Sequence, residues 1–256
     1  MVRSLYTACT GMVHQMNRLD VVTNNMANSD TTAYKKEGST SQSFDSVYGI
    51  KINDSSVNYI HQNIGRMSLG VKVGETYTDY GDGNLEETEQ LYDMALSGKG
   101  FFAISYADRN GNESVRYTRD GNFTVNSQGV LVTKDGDFVL AEDGGLINIP
   151  EGVKISVDES GRITADGQGI AQLQLVDFED YNYLEKFGEN MYIAIDGATT
   201  KDAQCKVYQG YLEASNVNVV TEMVDMITIT RDYESNQKVI QTIDSTLEKS
   251  VALGRI

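Results

Sequence analysis

Two histidines, two cysteines and a surplus of carboxylates are what this 256-residue chain offers to chemistry. Nucleophilic hydrolysis needs a histidine within reach of a Ser or Cys, oriented by a third group. His14 flanks a helical run of apolar residues and reads as a partly exposed helical side chain. His61 lies in a polar stretch with no nucleophile or acid at a recognisable spacing. Gly98-Lys99-Gly100 is a fragment of a phosphate loop, but Asp93 stands where the Walker pattern needs its first glycine and Ala103 where a dinucleotide fingerprint needs its last. Lys99 therefore reads as a turn residue ahead of Phe101-Phe102.

Calcium is the stronger temptation in an acidic chain. Asp108-Arg109-Asn110-Gly111-Asn112-Glu113 alternates oxygen ligands, yet an EF-hand loop needs Gly sixth and Glu twelfth, and Glu113 and Arg119 stand there. Asp79-Tyr80-Gly81-Asp82-Gly83-Asn84 fails similarly, with Gln90 twelfth. Both read as turns, and Glu86, Glu87 and Glu89 as a solvated cluster. Cys9 and Cys205 cannot make a disulfide framework or a four-cysteine zinc site. No catalytic, cofactor-binding or metal-ligating residue is assigned, and no cofactor or small-molecule substrate is expected.

The composition is that of a folded chain, 40% hydrophobic and 23% charged. A net charge of −16 opposes duplex binding. No apolar run reaches the length of a spanning helix, and the first residues lack the apolar stretch of a cleaved secretory signal. Charge and glycine are segregated. Residues 39–210 hold 21 of the 24 glycines and a net charge of −14, while the two ends are nearly neutral and glycine-poor.

The ends read as helices. Leu5, Met12, Leu19 and Met26 recur every seven residues, with Cys9, Met16 and Thr23 three before the last three, giving a coiled-coil seam. Gly11 weakens that helix by about 1 kcal/mol relative to Ala, and Asn24, Asn25 and Asn28 mark its end through their tolerance of left-handed backbone. At the other end Asn218 or Thr221 can cap a helix carrying Met226, Tyr233, Ile240 and Leu247, again seven apart. Ile229 and Ile243 fill its second position, Asn236 and Ser250 interrupt it, and Gly254 is a stop. The two stripes most simply pack together. Such a pair buries only about ten side chains at roughly 1.5–3 kcal/mol each, nearly cancelled by the entropy of ordering. It needs neighbouring copies.

The middle reads as β. Phe101-Phe102-Ala103-Ile104, Gly129-Val130-Leu131-Val132, Asp137-Phe138-Val139-Leu140 and Gln172-Leu173-Gln174-Leu175-Val176 are short strands, and Asn110-Gly111 and Asp135-Gly136 are hairpin turns. Phe123-x-Val125-x-x-x-Gly129-x-Leu131 recurs as Ile155-x-Val157-x-x-x-Gly161-x-Ile163, a twin hairpin with Pro150 between. The expected fold class is α+β: a mainly β middle, sandwich or barrel-like, flanked by paired terminal helices. The expected divisions are 1–38 (helix and exit), 39–69 (extended connector, with loops at Ser39–Ser43 and Asn53–Ser56), 70–210 (β domain) and 211–256 (helix).

Residues 19–36, built around Asn24-Asn25-Met26-Ala27-Asn28 and followed by Thr31, Tyr34, Lys35 and Lys36, closely resemble the signature of bacterial flagellar basal-body rod and hook proteins. The family usually has Gly where this chain has Ala33. Residues 210–220, containing Ser215-Asn216-Val217, resemble the family's C-terminal motif; segments 93–102, 117–123 and 187–192 also match, in order. The length is similar to that of rod members, the hook protein being much longer. The resemblance implies a non-enzymatic axial subunit, exported unfolded through the flagellar type III apparatus without a cleaved signal. It implies a helical polymer with its own copies and with adjacent rod and hook subunits, the terminal helices at its core. It implies no contact with nucleic acid and no membrane insertion. The readings set against it are a surface β binding module on a helical stalk and, third, an enzyme.

Overall fold

The computed structural model describes residues 2–52, 61–108, 113–150 and 153–254. They form a helical unit (residues 2–27, 37–52, 61–79 and 218–254) and a β unit (residues 28–36, 80–108, 113–150 and 153–217).

In the helical unit, α1 (Val2–Ala27) and α2 (Val219–Leu253) pack together. Asn218 resolves the capping choice: its side-chain oxygen accepts from Thr221 N at 3.1 Å, and Glu222 in the first turn suits the helix dipole. The helices run antiparallel, since Gln15 Nε2 donates to Asp232 Oδ2 at 3.1 Å while Gly11 lies against Asn236 and Asn25 against Glu222. Gly11 thus has a packing use, because a Cβ there would stand 3.1 Å from Asn236 Nδ2.

The stretch expected as a connector is extended but is not free. Strands β1 (Glu37–Ser43) and β4 (Val71–Thr78) pair antiparallel, as do β2 (Val47–Ile52) and β3 (His61–Met67). Ser39–Ser43 is therefore strand rather than loop, and β4 belongs with the helices. The Asn53–Ser56 loop and the Asn110-Gly111-Asn112 turn lie outside the described residues.

The β unit is built around the strand Phe101–Ala107. It pairs antiparallel with Glu113–Thr118 on one edge, and with Phe138–Val139 and Leu175–Phe178 on the other. Successive strand residues face opposite sides. Phe102 accordingly joins a core with Met94, Leu96, Ile104, Leu131, Ile147 and Ile163, while Phe101 joins a second with Phe178, Leu184 and Tyr192. The sheets are open, with no closed barrel among the described strands.

The twin hairpin appears as two matched turns. Leu131 pairs with Val125 and Ile163 with Val157. Gly129 and Gly161 adopt left-handed φ of 78° and 79°, each donating to the carbonyl three residues earlier (Asn126 and Asp158). Lys134-Asp135-Gly136-Asp137 is a hairpin turn too, with Gly136 at φ 95°. A Cβ at Gly129 would also meet the Ile149 carbonyl at 2.9 Å, whereas Gly136 has open space. Gly136→Ala is expected to cost about 1 kcal/mol from backbone strain alone, and Gly129→Ala more. Thermal unfolding of the two variants checks the order.

Candidate functional site: the helix faces and the junction of the chain ends

On α2, Ile229 is buried and Met226, Tyr233, Ile240 and Ile243 are half-buried, while Leu247 is 37% exposed. Asn236, the polar interruption, lies against Gly11. On α1, Leu5, Met12, Leu19 and Met26 are half-buried, and their alternating partners are Ala8, Gln15 and Val22. Cys9, Met16 and Thr23 are exposed, so the second position of the stripe falls one residue earlier than the sequence reading puts it. The cause is the flank of α1 that packs on β1 and β4. It draws the buried face towards the strands, where His14 and Asn25 are also sheltered.

His14 is not the partly exposed residue expected. It is buried, with Nε2 2.8 Å from Ser41 Oγ on β1, and burial together with Arg18 holds its pKa below the ordinary histidine value. His61 lies on β3. Asn25 fixes the exit of α1. Its Nδ2 donates to the Glu37 carbonyl at 2.8 Å and its Oδ1 accepts from Glu37 N at 2.9 Å, while Nδ2 also lies 3.3 Å from Glu222 Oε2. Asn24 and Ala27 are exposed. The left-handed residue of this exit is none of the asparagines but buried Ala33, at φ 56°.

In the β unit the two chain-end motifs are bound to each other. Asn28 accepts from Thr31 through its carbonyl and its side chain, both at 3.3 Å. Ala33 N donates to Glu213 O at 2.7 Å, Lys36 N to Asn216 Oδ1 at 2.7 Å, and Asn216 N to Tyr34 O at 3.4 Å. Ser215 Oγ accepts from Val217 N. Tyr34 is buried, with Lys186 Nζ 4.0 Å from its ring centre.

Beneath these contacts lies a charge network that the sequence reading missed. Lys35 Nζ meets Glu213 Oε1 at 2.5 Å, both side chains wholly sheltered, and also donates to Gly81 O at 2.8 Å. Arg119 Nη1 meets Asp82 Oδ1 at 2.7 Å and Glu213 Oε1 at 3.3 Å; Gly83 N donates to Glu213 at 2.8 Å. Burial lowers the Lys35 pKa against the opposing pull of Glu213. Burial works against the Arg119 charge as well, but Glu213 and Asp82 outweigh it and raise that pKa.

Residues of the two rejected motifs take part in this network. The carbonyls of Gly98 and Gly100 accept from Arg119, at 2.5 and 3.1 Å, so they hold the chain's own cation. The 79–84 loop turns Gly81, Asp82 and Gly83 onto Lys35, Arg119 and Glu213. Of the other candidate loop, residues 109–112 lie outside the described residues. Cys205 is half-buried, and burial pushes its thiol pKa up.

Three family models match the chain: flagella basal body rod protein over residues 5–35, flagellar hook protein FlgE/F/G D1 domain over 95–165, and flagellar basal body rod FlgEFG protein C-terminal over 208–253. Flagellar basal-body rod protein FlgG of Caulobacter vibrioides is 33% identical, covering 98% of this chain and 99% of its own. FlgG of Bacillus subtilis is 32% identical over the whole of both chains. FlgF of Caulobacter vibrioides is 33% identical, covering 98% and 96%.

Two predictions follow from the geometry. Glu213→Ala leaves two buried cations short of a partner and is expected to cost about 3–5 kcal/mol. Lys35→Met keeps the shape, leaves Glu213 paired with Arg119, and should cost far less; denaturant unfolding of the β unit compares them. Because the folded pKa of His14 is lowered, its contribution to stability is complete above the ordinary value of about 6.5 and is lost as pH falls through the folded value. Helicity should therefore weaken on acidification through that window in the wild-type chain more than in His14→Gln, as read by circular dichroism.

Proposed function

Because this chain belongs to the flagellar basal-body rod protein family, we propose that it polymerises helically through its terminal helices and that the polymer carries torque from motor to hook. It is a structural subunit of the rod, placed in the basal body with other rod and hook subunits. We assign it to the distal rod, on its length, the Val217-Asn218-Val219 region and its FlgG relatives; the proximal rod protein is the nearest alternative. It acts without catalysis, and it reaches its site unfolded through the flagellar type III apparatus.

One observation carries the reading. Of the 35 residues of α2, only Glu222 and Ile229 are buried. Exposed apolar residues continue along it, from Val220 at 71% to Val251 at 62% and Leu253 at 74%. A helix of that length buries far more in a self-sufficient domain, because tertiary packing of an apolar face supplies most helix stability. No described helix is long and apolar enough to cross a membrane. The remaining partner for these side chains is another subunit. A heterologous, non-closing contact generates a helical filament. Ordering the ends only on contact costs entropy, which restrains premature polymerisation. Charge repulsion between the acidic middles, screened within about 10 Å at 0.1 M salt, acts in the same direction.

Amide exchange on dilute monomer should find residues 1–30 and 221–250 exchanging fast while the β cores are protected, and polymerisation should slow the ends. Full protection of both ends in a verified monomer refutes the reading. Ile240→Asp should abolish polymer in light scattering while leaving the β unit folded.

A further inference from the structure

The buried charge network of the β unit brings an amine onto a carboxyl group where water reaches neither. We infer that Lys35 and Glu213 condense after folding, joining Lys35 Nζ to the side-chain carboxyl carbon of Glu213 in an isopeptide bond with loss of one water. The ion pair of the freshly folded chain is the precursor of that bond. The bond lies within the β unit and is independent of how subunits meet.

Lys35 Nζ stands 2.5 Å from Glu213 Oε1, and both side chains are 0% exposed. Holding a nucleophile against a carboxyl group replaces a chance encounter and raises the rate by many orders of magnitude. In water the two groups are inert to each other, because the amine is protonated and the carboxyl ionised. Burial opposes both charges, and it lowers the Lys35 pKa here. Moving one proton from Nζ to the carboxylate gives a neutral amine and a neutral acid, the forms that a water-free site favours and that react. Gly81 O, 2.8 Å away, accepts an N–H and holds the nitrogen in place.

The amine nitrogen then adds to Cδ of Glu213, and negative charge builds on one carboxyl oxygen. Donors already stand there: Arg119 Nη1, 3.3 and 3.4 Å from the two oxygens, and the Gly83 amide, 2.8 Å from Oε1. Fixed donors of this kind stabilise an oxyanion. The C–O bond to the protonated oxygen breaks, the departing hydroxyl takes a proton from the nitrogen, and water leaves. Ammonium and carboxylate thus become one amide and one water, with no oxidant or co-reactant. Asp82, bonded to the same Arg119 and 55% exposed, leads from the pair to solvent. The link ties positions 178 residues apart in sequence, which restricts the unfolded chain. Because the two groups meet only in the folded β unit, folding precedes the bond.

The test is mass spectrometry of the full-length chain, purified folded, kept for days with its β structure verified by circular dichroism, and then denatured. The expected intact mass is that of the sequence less one water. Trypsin should release residues 19–36, uncut after Lys35, joined to residues 207–231. Lys35→Met, which has no amine to give, should keep its full mass. A folded parent chain that keeps its full mass overturns the bond. So does a lost water that maps to any other residue, or the same loss from Lys35→Met. Should that variant fail to fold, the peptide map of the parent chain decides by itself.

Discussion

The Glu213 carboxylate is shut off from water, and Lys35, Arg119 and the Gly83 amide together hold it. An unpaired charge at that depth costs several kcal/mol, so each donor must stay where it is. The donors come from three stretches: the N-terminal motif, the middle of the β unit and the 79–84 loop. Lys35 and Glu213 stand 178 residues apart in sequence. Charge, reinforced by the backbone contacts of Ala33, Lys36 and Asn216, thereby holds residues 28–36 to residues 211–217. Each segment runs directly into a terminal helix. The motifs that carry the family resemblance therefore have a physical use in this chain, which is to bind the two ends to each other.

Parts of this were legible in the sequence and parts were not, for identifiable reasons. The α2 stripe was legible because its apolar residues meet one partner, so their spacing reports one face. The α1 stripe was legible in period but not in phase, because a second partner on its flank turns the buried face. Spacing alone cannot separate Ala8 and Val22 from Cys9 and Met16. Strand β1 was missed because Glu-Gly-Ser-Thr-Ser-Gln-Ser has no apolar alternation to read. It forms instead by pairing with β4, where Gly38 leaves room for the Tyr77 ring, 2.4 Å from where a Cβ would stand. The twin hairpin was legible because left-handed turns demand glycine at a fixed offset. The buried charges were invisible, since Lys35, Arg119 and Glu213 look like surface residues until the fold brings them together.

The two units divide the work of stability unequally. The β unit has two apolar cores of its own, one around Phe102 and Leu131 and one around Phe101 and Tyr192. Among its described residues, the helical unit fully shelters only Ala8, Val22 and Ile229 of its apolar side chains. Its other buried positions include polar groups, His14, Asn25 and Glu222, which cost stability unless hydrogen-bonded. Those polar contacts with Ser41 and Glu37 fix where the helices and strands meet without adding much driving force.

For a structural subunit of the flagellar rod, this division has a physical logic. The β unit has its own apolar cores and paired buried charges. Helices that leave apolar stripes uncovered hold their largest unspent free energy for the contact with the next copy. Had Met16, Met223 and Ile227 been buried within one chain, the helical unit would be firmer alone and the polymer weaker by the same surface. On the proposed reading, assembly draws on what the monomer leaves uncovered, and the exposure of these side chains is what makes that surface available.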